Sequence, residues 1–161
     1  MADALGDTLI RDTLVAYDYG IDAEWYLAVR AIGGTHDDAI AASKRDHPGP
    51  AEYLEFRRSG ISHDQAMVLG ARGVCLETCE FALRAGANHT EIVEFVEVTG
   101  VALTPYIWCR QAGATHRETM DTAEHTTPSS VARVMWNYTQ ARSTGLDHPR
   151  ARLMAQLAND A

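Results

Sequence analysis

Five of the seven histidines recur at nearly regular intervals, and imidazole is the side chain best suited to proton transfer near neutral pH. The steps between them are 27, 26, 27 and 32 residues, and the five are His36, His63, His89, His116 and His148. Imidazole also binds zinc, at about 2 Å. However, residues one repeat apart lie on neighbouring helices, roughly 10 Å from one another. We therefore expect these histidines to be structural and not a metal or proton-transfer array.

The cysteines offer a second kind of chemistry. Cys75 and Cys79 are one helical turn apart, Cys109 follows one repeat later, and His89 lies between them. A zinc site is one interpretation, but the chain has no C-x-x-C pair, and unpaired cysteine is commonly a small buried apolar residue. The odd number of cysteines argues against a disulfide framework. The sequence thus predicts core cysteines, no metal and no cofactor.

Tyrosine and arginine recur together, four residues apart, in four of five repeats. The third repeat has Cys79 and Leu83 in their place, and the pairs are Tyr26 and Arg30, Tyr53 and Arg57, Tyr106 and Arg110, and Tyr138 and Arg142. One interpretation is a ladder of arginines that binds an anionic ligand. The other places each arginine at a helix C-terminus, where its charge suits the helix dipole. We favour the structural interpretation and keep the four arginines as candidate binding residues.

Trp25, Trp108 and Trp136 occupy different positions of the repeat. Residues that break a repeat are where specificity is expected, and tryptophan is frequent among the residues that dominate binding energies. The tryptophans would equally well fill gaps in the core, and the sequence leaves both interpretations open.

These side chains are positioned by a recurring phrase of glycine, any residue, a small capping residue and histidine. Serine, threonine, asparagine and aspartate accept hydrogen bonds from free N–H groups at helix starts, and glycine ends helices at positive φ. Each phrase is thus predicted to end one helix and begin the next. It reads Gly33-Gly34-Thr35-His36, Gly60-Ile61-Ser62-His63, Gly86-Ala87-Asn88-His89, Gly113-Ala114-Thr115-His116 and Gly145-Leu146-Asp147-His148, with Gly6-Asp7-Thr8-Leu9 as a sixth form that lacks the histidine.

A second set of glycines and prolines divides each period into two helices of roughly ten residues. First helices are predicted near 8–18, 36–46, 63–72, 89–99, 116–124 and 148–158, and second helices near 22–32, 50–59, 74–85, 102–112 and 129–144. The predicted fold is all-α, an α-solenoid-like array of five tandem helical hairpins with a period of about 27 residues plus a C-terminal helix. We expect one domain over 1–161, with repeats starting near 6, 33, 60, 86 and 113 and the terminal helix within 145–161.

The net charge of −8 argues against a general nucleic-acid binder, which neutralises phosphates. Residues 1–80 hold fourteen acids and seven bases, whereas residues 81–161 hold eight and seven. The chain contains no apolar run near the roughly 20 residues of a membrane span. Its first residues lack the basic start and apolar stretch of a secretory signal, so a cytoplasmic location is expected.

No catalytic motif or phosphate loop is present in the sequence, and the chain is predicted not to be an enzyme. We expect a protein-interaction or assembly module, a scaffold that binds another protein or self-associates through its terminal helices. The alternative is a nucleic-acid-related protein. It would bind nucleic acid repeat by repeat through the arginine ladder, or mimic nucleic acid through its acidic N-terminal half and so inhibit a nucleic-acid enzyme.

Overall fold

The computed structural model describes residues 10–11, 13–18, 20–43, 49–127 and 129–160, and all regular structure in these residues is helical. The all-α prediction is confirmed. We label the helical residues 10–11 and 13–18 as α1. The helices that follow are α2 (Ala23–Ala31), α3 (His36–Ser43), α4 (Pro50–Arg58), α5 (His63–Ala71), α6 (Leu76–Arg84), α7 (His89–Thr99), α8 (Thr104–Gln111), α9 (His116–Glu124), α10 (Val131–Ser143) and α11 (His148–Asp160).

The predicted helix starts are confirmed, because α3, α5, α7, α9 and α11 each begin at the histidine of a phrase. Full capping boxes close the first turns of α7 and α9. The side chain of Asn88 accepts from the N–H of Glu91, and that of Thr115 accepts from the N–H of Glu118. In return, each glutamate accepts from the N–H of its capping residue. The sixth phrase, Gly6 to Leu9, lies outside the described residues.

The predicted helix ends are also confirmed. Gly86 has φ 88° and Gly113 has φ 81°, in the left-handed region that side chains with a Cβ rarely adopt. After each of these glycines the chain turns back, and the N–H of Ala114 donates to the carbonyl of Cys109 at 3.0 Å. The glycines therefore allow the next capping residue to follow within two positions.

The chain divides into two compact units, Met1–Ala71 and Arg72–Ala161, and each is described here by itself. The division falls between α5 and α6, inside the third predicted hairpin. In the first unit α2 packs on α3 and α4, and α4 packs on α5. The most deeply buried large side chains there are Tyr26, Val29, Tyr53, Phe56, Ile61 and Leu69.

In the second unit the hairpins pack in chain order. The second helices contact one another, α6 with α8 and α8 with α10, and the first helices α7 and α9 also contact each other. The terminal helix α11 packs on α10. The core of this unit includes Ile92, Phe95, Leu103, Tyr106, Met135 and Tyr138. Among the described residues, no helix has the length and apolar character needed to cross a membrane.

Replacing Gly113 tests the helix-ending role of the phrase. No atom lies within 4 Å of a Cβ added at Gly113, so the cost of a side chain is that of the left-handed backbone. We expect Gly113→Val to lower the free energy of unfolding by about 1–2 kcal/mol or more, whereas Gly113→Asn should lose less because asparagine visits this region. Urea unfolding of both variants measures the difference. If both variants lose the same unfolding free energy, the left-handed backbone at Gly113 is not the cause of the loss.

Candidate functional site

Four buried tyrosines hydrogen-bond the histidine that begins the next helix. We call each pair a tyrosine–histidine link. The distances from the tyrosine hydroxyl to histidine Nδ1 are 2.7 Å for Tyr26 and His36, 3.0 Å for Tyr53 and His63, 3.0 Å for Tyr106 and His116, and 2.9 Å for Tyr138 and His148. All four tyrosines have no exposed surface. The tyrosine and histidine patterns of the sequence are thus one feature, which joins the second helix of one hairpin to the first helix of the next.

The other imidazole nitrogen connects successive first helices in the second unit. His116 Nε2 lies 3.3 Å from Glu94, and His148 Nε2 lies 2.9 Å from Asp121. A carboxylate only accepts hydrogen bonds, so Nε2 carries the proton and Nδ1 accepts from the tyrosine hydroxyl. Each imidazole is therefore held by one group on either side.

In the first unit the carboxylate is placed differently. An oxygen of Asp38 lies 3.6 Å from Nδ1 of His63, the same nitrogen that bonds Tyr53. Asp38 also accepts from the N–H of Thr35 at the start of its own helix. Burial raises the pKa of Asp38, but the hydrogen bonds from Thr35 and the charges of His63 and Arg57 outweigh it and hold the pKa below 3.8.

The four candidate arginines bind main-chain carbonyl groups. Arg30, Arg57 and Arg142 donate to the carbonyls of Gly34, Ile61 and Leu146, each four residues further along the chain. These acceptors lie in the turn after the helix, not in its last turn as the helix-dipole argument expected. The guanidinium groups therefore fix the turn that carries the glycine.

Two of the arginines also reach back to the preceding hairpin. Arg110 donates to the carbonyl of Gly86, and Arg142 donates to that of Gly113 at 3.4 Å. The guanidinium of Arg110 also lies 3.9 Å from Glu91. The left-handed glycine that ends one second helix is thus held by the arginine of the following second helix.

Three of the link tyrosines, and the buried Cys109 outside the links, stay protonated at neutral pH. Burial raises the pKa of Tyr53, Tyr106 and Tyr138 above 10.0, so their hydroxyls remain hydrogen-bond donors. Burial likewise raises the pKa of Cys109 to about 12, and a thiol that keeps its proton is a poor nucleophile. Among the described residues, no group of three or more His, Cys, Asp or Glu side chains is placed to hold a metal ion.

A groove of about 440 Å³ lies along the first helices of the second unit, lined by Glu94, His116, Arg117, Met120, Asp121 and Glu124. Two of its carboxylates already have partners. Glu94 pairs with His116, and Asp121 accepts hydrogen bonds from His148 and Arg152. These polar groups therefore serve the contacts between repeats.

The three candidate tryptophans have two different environments. Trp25 stacks on Tyr53 with ring centroids 5.8 Å apart and an angle of 20° between the planes. Trp108 and Trp136 contact each other edge to face at 5.1 Å. Trp136 is 46% exposed, whereas Trp108 is half-buried. The structure thus brings two of the three tryptophans together on the second helices α8 and α10.

A third exposed aromatic residue, Phe81, lies on α6, which packs on α8, and the sequence argument missed it. Phe81 is 45% exposed on α6, and it follows Cys79 by two residues as Trp108 follows Tyr106. Aligning the repeats on the tyrosine position would have indicated this correspondence. We call Phe81, Trp108 and Trp136 the aromatic patch.

Removing one phenol hydroxyl tests the tyrosine–histidine link. Tyr106→Phe keeps the ring that packs 4.9 Å from Phe95, but leaves Nδ1 of His116 without its donor. We expect a loss of about 0.5–1.5 kcal/mol in the free energy of unfolding. Tyr17→Phe is the matched control, because Tyr17 is 77% exposed and its loss should stay within about 0.5 kcal/mol. Equal effects of the two changes on urea unfolding would argue against the link.

The carboxylate of Asp121 gives a prediction for acid unfolding. Burial raises its pKa, but the hydrogen bond from His148 and the charges of Arg152, His148 and His125 outweigh this and hold the pKa below 3.8. A lowered pKa contributes stability that is present above the unfolded value of 3.8 and is lost as pH falls through the folded value. We therefore expect the stability difference between wild type and Asp121→Asn to shrink as pH drops below about 4.

Urea unfolding at several pH values measures this difference, and the exposed Glu124→Gln on the same helix controls for net charge. If the difference in unfolding free energy between wild type and Asp121→Asn is the same above and below pH 4, the ionised carboxylate contributes nothing to stability.

Comparison with protein-family models, with curated proteins and with solved structures finds no match to this chain. What the protein does must therefore be inferred from the surfaces that its own repeats build.

Proposed function

We propose that this chain is a protein-interaction module and that a partner protein binds the aromatic patch of the second unit. The observation that carries the proposal is the contact between Trp108 and Trp136 on neighbouring helices, with Trp136 46% exposed. Large aromatic side chains that pack on each other in partial contact with water are a frequent core of protein interfaces.

The surroundings of the patch suit a docking surface. Arg84 lies over the Phe81 ring at 5.3 Å from its centroid and pairs with Glu80 at 3.0 Å. Charged groups thus border the exposed rings, in the way that a polar rim surrounds an apolar centre in interfaces. Tryptophan and phenylalanine have few rotatable bonds, so little conformational entropy is lost when a partner covers them.

The candidate arginines contribute less to this proposal. Arg30, Arg57, Arg110 and Arg142 donate to main-chain carbonyls of their own or the preceding turn. Together with the net charge of −8, this favours a protein over a nucleic acid as the partner.

A binding experiment with Trp136→Ala tests the proposal. Immobilised wild-type chain, used as bait in extract of its native host, should retain a specific protein. The retained protein is then purified. It should bind the Trp136→Ala variant more weakly than wild type, by about 2 kcal/mol in binding free energy, or roughly thirtyfold in Kd. The variant should unfold near the wild-type temperature, because the truncated side chain is half exposed.

Val98→Ala is the matched control, since Val98 is a large apolar residue, 56% exposed, on a first helix of the same unit. If Trp136→Ala binds the partner with the same Kd as Val98→Ala, the aromatic patch is not the docking surface. A gel shift of nucleic acid by the wild type at low salt, without any bound protein, would favour the alternative function.

A further inference from the structure

Two cysteines stand one helical turn apart at the start of α6. Cys75 is the capping residue just before the helix, and Cys79 lies within the helix. The sequence argument expected both in the core, but only Cys79 is buried, and Cys75 is exposed. The Sγ atom of Cys75 lies 3.1 Å from Oγ1 of Thr78, so the exposed thiol lies against the first turn of α6. One thiol therefore meets solvent, and the other is held in the core one turn further on.

The spacing of the two cysteines is close to that of a disulfide. Residues four apart on a helix have Cβ atoms about 5–6 Å apart, whereas a disulfide requires about 3.5–4.5 Å. The N–H of Cys79 donates to the carbonyl of Cys75 at 3.2 Å, and this bond closes the first turn of α6. Bringing the two Cβ atoms together by roughly 1–2 Å distorts that turn. A disulfide is thus compatible with the chain only when the first turn opens.

The first turn of α6 has fewer anchors than the starts of α7 and α9. Cys75 makes no side-chain cap hydrogen bond, whereas Asn88 and Thr115 form full capping boxes. Cys79 stands where four other repeats have the tyrosine of the link, and Leu83 stands where they have the arginine. Helix α6 is therefore joined to α7 without a tyrosine–histidine link. We expect its first turn to open at a lower free energy than the whole chain unfolds.

We propose that α6 carries a redox switch, in which a low-molecular-weight disulfide oxidises Cys75 and Cys79 to a reversible disulfide. The thiolate of Cys75 attacks one sulfur of the oxidant, whose S–S bond breaks and whose other half leaves as a thiolate. Once the first turn has opened, the thiolate of Cys79 attacks Sγ of Cys75 and displaces the second half. The two protons that the cysteines lose pass to the two leaving thiolates. Two protein thiols are thus oxidised while one small disulfide is reduced to two thiols.

The disulfide changes the structure of α6. It draws Cys79 from its buried position and keeps the first turn from closing, and an excess of small thiol reverses both changes. Phe81 lies two residues after Cys79 on the same helix, so oxidation also displaces one ring of the aromatic patch. Only this last consequence rests on the proposed function, and the disulfide itself does not.

Oxidation with glutathione disulfide tests the switch. Trypsin cleaves after Arg72 and Arg84, so both cysteines fall in peptide 73–84 and Cys109 falls in another. The reduced chain is incubated with glutathione disulfide without denaturant, its remaining thiols are blocked, and it is digested. Mass spectrometry should show that peptide 73–84 loses two hydrogen atoms and carries no glutathione. Amide hydrogen exchange in α6 should become faster by on the order of tenfold or more, whereas exchange in α10 should not change.

Two variants separate the two steps of the reaction. Cys75→Ser removes the exposed thiol and should leave peptide 73–84 unmodified. Cys79→Ala should retain one glutathione on Cys75, because no second thiol displaces it. Both variants should melt near the wild-type temperature, since each change is small.

Cys109 is the internal control for global unfolding, because it is buried and only unfolding of the chain exposes it. Peptide 73–84 should be oxidised on the order of tenfold or more faster than Cys109. Equal rates would mean that the whole chain unfolds, and they overturn the proposal. A wild-type peptide that keeps both hydrogen atoms, or that accumulates bound glutathione, overturns it too. A disulfide that forms without faster exchange in α6 overturns the structural change.

Discussion

The buried tyrosine hydroxyl is the constraint on which the rest of the repeat depends in the four repeats that carry it. A hydroxyl removed from water without a hydrogen bond costs free energy, and Tyr26, Tyr53, Tyr106 and Tyr138 have no exposed surface. Each finds its acceptor in the imidazole at the first position of the next helix. The bond holds only when the intervening turn brings that helix back over the tyrosine, which the left-handed glycine permits. Helices of eight to thirteen residues are marginal alone, so this packing between consecutive helices is what maintains them.

The same link also orders the polar groups around it. An imidazole that accepts at Nδ1 must donate at Nε2, and in the second unit the nearest acceptors are Glu94 and Asp121 on the preceding first helix. The arginine of the same helix as the tyrosine donates to carbonyl groups of the turn before the histidine. The Nε atoms of Arg57 and Arg110 are buried without a hydrogen-bond partner, whereas other nitrogens of the same guanidinium groups donate to turn carbonyls. The third repeat, with Cys79 and Leu83, lacks both members of the tyrosine–arginine pair.

Helix limits were predictable because their causes are local. The predicted helix 116–124 is α9 itself, and 102–112 differs from α8 by two residues at the start and one at the end, since a capping side chain and a glycine act within a single turn. The partner of each tyrosine was not found. Its histidine lies ten residues away across a turn, although both residues recur with the same period. The arginines lie in the last turns of their helices as expected, but they donate to carbonyls of the turn that follows instead of the last helical carbonyls. No change in amino-acid composition marks the boundary between the two units after Ala71. The boundary depends on which helices pack together, and composition does not reveal that.

The proposed function would use residues that the repeats do not. The four tyrosine–histidine links and the four candidate arginines are bonded to neighbours within the chain, so the positions that differ between hairpins are those that the proposal assigns to a partner. Whether such a position is structural depends on the helix beside it and not on residue type. Trp25 meets the ring of Tyr53 and packs face to face within the first unit. Trp136 contacts Trp108 edge to face and keeps nearly half of its surface in water. The same side chain therefore packs on a tyrosine ring in one hairpin and keeps apolar surface in contact with water in another.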